Sequence, residues 1–210
     1  MRVLVFGASG ATGYHAVSQG LANGHYMTAF VRDPSKLEID HRHLDIFTGD
    51  VSDMRTVEDA VQDQDAVVSA LGASNPFTRN VTLIRGVSNI VTAMAKLNVR
   101  RFIYQSFLGV KEYRSDLGFL MNSVVPLFLA SVIKDHEQKE KVIVNSGLDW
   151  TIVRCAMLTN GPLTKKYKAG ERIDFEAAVP LISRANVADF MVRQLHDVTH
   201  MHKKPRILQR

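Results

Sequence analysis

VLVFGASGATGYHA (residues 3–16) runs an unbroken apolar segment into seven residues containing three glycines, and from there into a helical pattern. An apolar run of this length suits a strand buried on both faces. Gly7, Gly10 and Gly13 follow it and let the backbone turn tightly and approach a ligand closely. In a strand–turn–helix unit the free N–H groups of the first helical turn and the helix dipole make a site for a phosphate. The spacing is Gly-x-x-Gly-x-x-Gly rather than the more usual G-x-G-x-x-G, and an ordinary tight turn would show the same glycines. The strand before and the helix after favour the phosphate reading, with the hydroxyls of Ser9 and Thr12 as added donors. Gly7, Ser9, Gly10, Ala11, Thr12 and Gly13 are the candidate pyrophosphate residues.

The same alternation of apolar run and helical pattern recurs along the chain, which predicts an α/β fold with helices packed on a parallel sheet. Strands are expected at 2–6, 26–31, within 43–50, and at 65–72, 100–106 and 149–155. Helices are expected at 12–22, ended by Asn23-Gly24, at 53–62 with Ser52 as cap, at 78–97 as the longest, near 135–146 and at 186–197. PRIL (205–208) suits a terminal strand. No repeat, linker or low-complexity segment divides the 210 residues, so one domain over 1–210 is expected.

Composition narrows the classes. The formal charge of +5 would suit an anionic ligand, yet no Lys/Arg block interleaved with aromatics accompanies it, and no nucleic acid is expected as a partner. The longest apolar stretch, 117–133, is short of a membrane span and contains Asn122 and Pro126; it reads as a buried or pocket-lining segment. The N-terminus lacks a signal-peptide pattern, and the single cysteine, Cys155, suits a reducing compartment, so a cytoplasmic protein is expected.

The end of the second expected strand bears on cofactor choice. An NAD-binding domain places an acid there to accept from the ribose 2′-hydroxyl. Here the residues are Val31-Arg32-Asp33. The guanidinium of Arg32 suits a 2′-phosphate and favours NADP, with Asp33 as the competing ribose acceptor. After the third strand, Asp50 is placed to accept from an adenine amino group while Val51 packs on the ring; a capping role for Asp50 is the alternative.

With these residues in place the chain resembles the atypical short-chain dehydrogenase/reductase superfamily, in its NAD(P)H-binding, NmrA-like group. The likeness spans nearly the whole chain through GASGATG (7–13), VRDPSKL (31–37), GDVSD (49–53), DAVVSALG (65–72), SNIVTAMAKLNVRRFIYQS (88–106), DHEQKEKVIVNSGLDWTIVR (135–154), GPLTKKY (161–167) and ISRANVADFM (182–191). Asp135-His136, the SGL segment at 146–148 and Pro162-Leu163-Thr164 look most similar to the biliverdin-IXβ reductase, or flavin reductase, branch. The resemblance implies a Rossmann-like, doubly wound parallel sheet with short substrate-side segments at about 107–135 and 156–180. It further implies cofactor contacts from Leu71, Gly72, Ser106, Cys155, Ala156 and Met157, and catalytic candidacy for Ser106 and for His136, close to where the superfamily's catalytic lysine would fall.

Two departures bear on chemistry. No tyrosine is followed four residues later by lysine, and the residue after Ser106 is Phe107, where catalytic relatives polarise a carbonyl with a serine. The expected function is therefore an NADPH-dependent oxidoreductase that passes hydride to a planar acceptor, a flavin such as FMN, a quinone or a linear tetrapyrrole, with Phe107, Leu108, Phe119, Met121 and Phe128 lining the pocket or serving as plain core. The alternative is a non-catalytic NADP(H)-sensing regulator that acts through a protein partner. Burial argues against a reactive Cys155, His136 is either a proton donor or an ordinary helix-terminal histidine, and His196, His200 and His202 lie too far from the glycine turn to suggest a metal site there.

Overall fold

The computed structural model describes residues 1–72, 80–110, 125–173 and 179–210, with the backbone alone for 125–129. Strands β1 (Arg2–Phe6), β2 (Tyr26–Val31), β3 (Leu44–Thr48), β4 (Ala66–Ser69), β5 (Arg101–Phe107), β6 (Asp149–Cys155), β8 (Tyr167–Gly170) and β10 (Arg206–Gln209) form one sheet in the order β3-β2-β1-β4-β5-β6-β10-β8. Its pairings are parallel except that of β8 with β10. A second, two-stranded sheet pairs β7 (Met157–Thr159) with β9 (Leu181–Ser183).

Strand alternation sends side chains into two cores. On one face Val3, Val5, Ala29, Val68, Ile103 and Val153 pack against α1 (Ala11–Ala22) and α5 (Arg184–Arg193). On the other, Leu4, Phe6, Phe30, Val67, Phe102 and Ile152 pack with residues of α2 (Met54–Val61), α3 (Val81–Lys96) and α4 (Val125–Val144). Both faces of the central strands are thus covered, which is why their sequences are continuously apolar rather than alternating. No helix among the described residues is long and apolar enough to cross a membrane.

Several sequence expectations need correction. Asp53, not Ser52, caps α2, its carboxylate accepting from the Arg55 N–H; a charged acceptor suits a helix N-terminus better than a hydroxyl. The longest helix is α4 rather than α3. α4 starts ten residues before the expected 135, because Pro126 falls in its first turn, where a missing N–H costs nothing. Asn80 caps α3 and Ser183 caps α5. The short strands β7, β8 and β9 had no counterpart in the sequence reading.

Candidate functional site

The strand order runs outward in opposite directions from β1 and β4, so the carboxyl ends of these neighbours open a crevice at the switch in topology. The glycine turn lies there, and its three glycines differ. Gly7 has φ +79°, and a Cβ on it would stand 2.8 Å from the Ala70 carbonyl oxygen beyond β4. A Cβ on Gly13 would overlap the Gly7 carbonyl oxygen and stand 2.7 Å from its carbon, so this glycine lets α1 lie directly on the turn. Gly10 is exposed, and a Cβ there would meet only the Gly7 oxygen, at 3.2 Å. Gly10 is also the N-cap of α1, and no side chain caps the helix. Ser9, Gly10 and Ala11 are exposed while Thr12 is buried. The turn therefore offers first-turn N–H groups to an open space that a side chain at 10 would fill, and a pyrophosphate fits that cradle.

Arg32 lies exposed just past β2 and makes no hydrogen bond or ion pair among the described residues. Its two acidic neighbours are already used. Asp33 accepts from the Ser35 backbone N–H and hydroxyl at 3.1 and 2.7 Å, bonds that hold its carboxyl below the ordinary value. Asp50 accepts from the backbone N–H and hydroxyl of Ser52 at 2.8 and 2.7 Å and is lowered for the same reason, with a smaller contribution from the Arg32 charge. Arg32, past β2, thus stands close enough to Asp50, past β3, to act on its charge, and its guanidinium remains uncommitted among the described residues. The Val51 side chain is buried against α3, where a Cβ on Gly86 would press on it, and its carbonyl accepts from Asn89.

At the end of β5 a buried polar network comes together that the sequence did not announce. The Ser106 hydroxyl donates to Glu140 Oε1 at 2.6 Å and lies 3.3 Å from His136 Nδ1. Arg154 on β6 donates to Glu140 through Nη2 at 2.6 Å and Nε at 3.2 Å. The Lys204 amine is 3.9 Å from Glu140 Oε2. Ser106, Glu140 and Arg154 are all at least 95% buried. His136 and Glu140 are one turn apart on α4, so both reach the same serine.

Burial drives the titration of this cluster. It lowers the His136 imidazole to about 3, with the Lys139 charge adding to the effect. It lowers the Lys139 amine to about 8, opposed by the charges of Asp135 and Glu140. It raises the Tyr104 phenol, again with help from Glu140 and Asp135. Asp135 accepts from the Asn80 N–H at 2.7 Å and so ties α4 to the start of α3. The sequence did carry one signal for the pair: Arg154 is a lone cation inside the apolar run of β6, and a buried guanidinium requires an anion.

The remaining predicted residues divide between crevice and core. Leu71 and Gly72 follow β4 beside the glycine turn, Leu71 partly buried and Gly72 exposed. Cys155 and Ala156 are buried, and burial raises the Cys155 thiol. Met157 is 55% exposed on β7, opposite Leu181 of β9, which is 46% exposed. Leu108 is core, and Phe107 packs partly buried against the core with its ring 6.2 Å from that of His136. Phe119 and Met121 lie outside the described residues, as does the side chain of Phe128. His196 stacks on His25, His200 meets Phe190 and His202 meets Trp150, so each ring packs on a different partner.

A family model described as NAD(P)H-binding matches residues 7–198. Among curated relatives, UPF0659 protein YMR090W of Saccharomyces cerevisiae is 28% identical over 207 residues, 93% of this chain and 87% of that protein. Among solved structures, a short-chain dehydrogenase/reductase of Veillonella parvula in complex with NADP matches with TM-score 0.81 at 21% identity, covering 99% of this chain and 94% of the other. ChuY of Escherichia coli O157:H7, described as an anaerobillin reductase, matches with TM-score 0.83 at 18% identity, covering 100% and 97%. These two structural likenesses are likenesses of fold.

Proposed function

The chain belongs to the NAD(P)H-binding family, and we propose that it is a reductase that uses NADPH to reduce a planar, electron-accepting molecule: a flavin, a quinone or a linear tetrapyrrole. The observation that carries this reading is the state of the two polar groups at the end of β5. Ser106 gives its proton to Glu140, and burial keeps the His136 imidazole neutral at physiological pH. Neither is poised to protonate an alkoxide, as the reduction of a simple aldehyde or ketone requires. A conjugated ring system spreads the charge it gains and can take its proton later from water, so it needs no positioned acid. The reductase ChuY, which shares this fold, supports the same direction.

The nicotinamide cofactor, when bound, supplies the hydride. Gly7, Ser9, Gly10, Ala11, Thr12 and Gly13 would hold its pyrophosphate, Arg32 its 2′-phosphate, and Asp50 and Val51 its adenine. Leu71, Gly72, Ser106, Cys155, Ala156 and Met157 would border the nicotinamide end. Phe107 would help keep that end dry, which strengthens each polar contact inside it.

The test is NADPH oxidation against FMN, riboflavin, quinones and biliverdin, with aldehydes as controls. Turnover is expected with the conjugated acceptors and not with the aldehydes, and His136→Ala should lower kcat by no more than about tenfold, below the ~10² to 10⁴ typical of removing a general acid. Efficient aldehyde reduction would overturn the mechanism. Tight NADPH binding with no turnover on any acceptor would instead favour the NADP(H)-sensing regulator that acts through a protein partner.

A further inference from the structure

We propose that Glu140 is a positioning residue that, acting through Ser106, fixes His136 as the tautomer protonated on Nδ1 and leaves Nε2 as a bare acceptor. The argument is one of hydrogen-bond direction. Glu140 is paired with Arg154 by two contacts, at 2.6 and 3.2 Å, and its Oε1 is 2.6 Å from the Ser106 oxygen. That separation is the length of an O–H donating to a carboxylate. A hydroxyl has one proton and two lone pairs. With its proton committed to Glu140, the Ser106 oxygen can only accept from its other neighbour, His136 Nδ1, at 3.3 Å. Nδ1 must then carry the ring's proton, and a neutral imidazole has only one.

The ring is neutral at physiological pH because burial holds its pKa far below the ordinary value. The chain of donors therefore runs from His136 through Ser106 to Glu140, and the charge at its end sets the direction of every bond in it. The consequence for the site rests on the reductase reading above. A histidine in this state cannot give a proton from Nε2, so an acceptor molecule that brings its own N–H, such as a flavin or a pyrrole, can bond to it where a quinone oxygen cannot.

The tautomer can be read directly by heteronuclear NMR of protein labelled at the histidine ring nitrogens, which separates protonated from bare nitrogen. His136 is assigned among the eight histidines by the signals that vanish in His136→Gln. The wild type is expected to show a protonated Nδ1 and a bare Nε2. In Glu140→Gln the remaining amide oxygen keeps the shorter Arg154 contact, the new amide nitrogen donates to Ser106, and the serine proton turns to His136, so the proton should move to Nε2. Ser106→Ala, which leaves the Glu140–Arg154 pair in place, should abolish the preference for Nδ1 and serves if Glu140→Gln does not fold. A wild-type ring protonated on Nε2, or a tautomer unmoved in whichever of these variants folds, would overturn the proposal. Failure of every acceptor in the turnover panel would remove the reductase reading and leave this ring signal untouched.

Discussion

The glycine turn makes a prediction in which two residues of the same type must behave oppositely. At Gly13 an added methyl would meet backbone, the Gly7 carbonyl and the Ala8 Cα at 2.9 Å, with no flexible side chain to give way. Relief requires α1 to lift from β1, along which it buries Ala16, Val17 and Leu21. Overpacking of this kind costs about 1 to 3 kcal/mol, and a clash with backbone belongs at the upper end. For a chain of this length about 3 kcal/mol corresponds to a fall in Tm of roughly 6 to 12 °C. At Gly10 the backbone sits at φ −78° and ψ 157°, which any residue adopts, and the nearest atom to a new Cβ is 3.2 Å away. Gly10→Val should therefore fold, melting within about 2 to 4 °C of wild type, a cost near 1 kcal/mol. It should nevertheless lose NADPH affinity, because the branches stand between the first-turn N–H groups and the pyrophosphate. Hydrogen bonds to a charged group contribute about 1.5 to 3 kcal/mol each, so even one lost bond means a Kd higher by tenfold or more. The assay pairs a thermal melt with a fluorescence titration of NADPH for Gly10→Val and Gly13→Ala. Undiminished binding by a folded Gly10→Val, or a Gly13→Ala that melts with the wild type, would refute this division of roles.

Arg32→Ala should weaken NADPH by about 1.5 to 3 kcal/mol and leave NADH nearly unchanged in parallel titrations; equal losses would remove Arg32 from the 2′-phosphate. Arg154→Ala should cost about 3 kcal/mol in denaturant unfolding, the lower end for a broken buried pair because the Ser106 hydroxyl and, at 3.9 Å, the Lys204 amine still face Glu140, whereas Arg154→Met with Glu140→Leu should recover most of that loss; a single variant less than 1 kcal/mol below wild type would contradict the pairing. Stability should also fall in mild acid. The folded-state pKa of His136, about 3, lies below its unfolded value of 6.5, so its contribution is present above pH 6.5 and lost as pH falls toward 3. Between pH 7 and pH 5 that loss is roughly 2 kcal/mol, His25 adds to it in the same direction, and His136→Gln should flatten the profile measured by urea unfolding.

The parts of this fold that were readable in the sequence are those where burial on both faces left no choice of residue. RVLVF, YMTAFV and DWTIVRC match β1, β2 and β6 residue for residue, because a central parallel strand has no solvent face to break its apolar run. β7 and β9 are three residues each and β8 is four, all at the margin of the sheets, where half-exposed side chains such as Met157 and Leu181 follow no period. α4 was hidden at its start by the opposite effect: the apolar segment before residue 134 lacks the polar face that marks a surface helix. The glycine turn was readable for a related reason, since a turn that excludes side chains must be written in glycine.

Of the polar network at the end of β5 only Arg154 left a mark in the sequence, and the reason its partner did not lies in how charge is encoded. In DHEQKEKVIV five of the first seven residues are charged, which is the pattern of a solvated helix face, and nothing local distinguishes Glu140 from Glu137 or Lys141. The distinction comes from the neighbouring strands: Ser106 on β5 and Arg154 on β6 are directly opposite each other in the parallel register, and α4 crosses both. Only the residue of α4 that falls above that pair can accept from both at once, and Glu140 does. A serine and an arginine that pair across two adjacent strands thus select one carboxylate from an acidic and basic run. That carboxylate in turn decides which way the serine proton points, and with it whether the site can act as an acid.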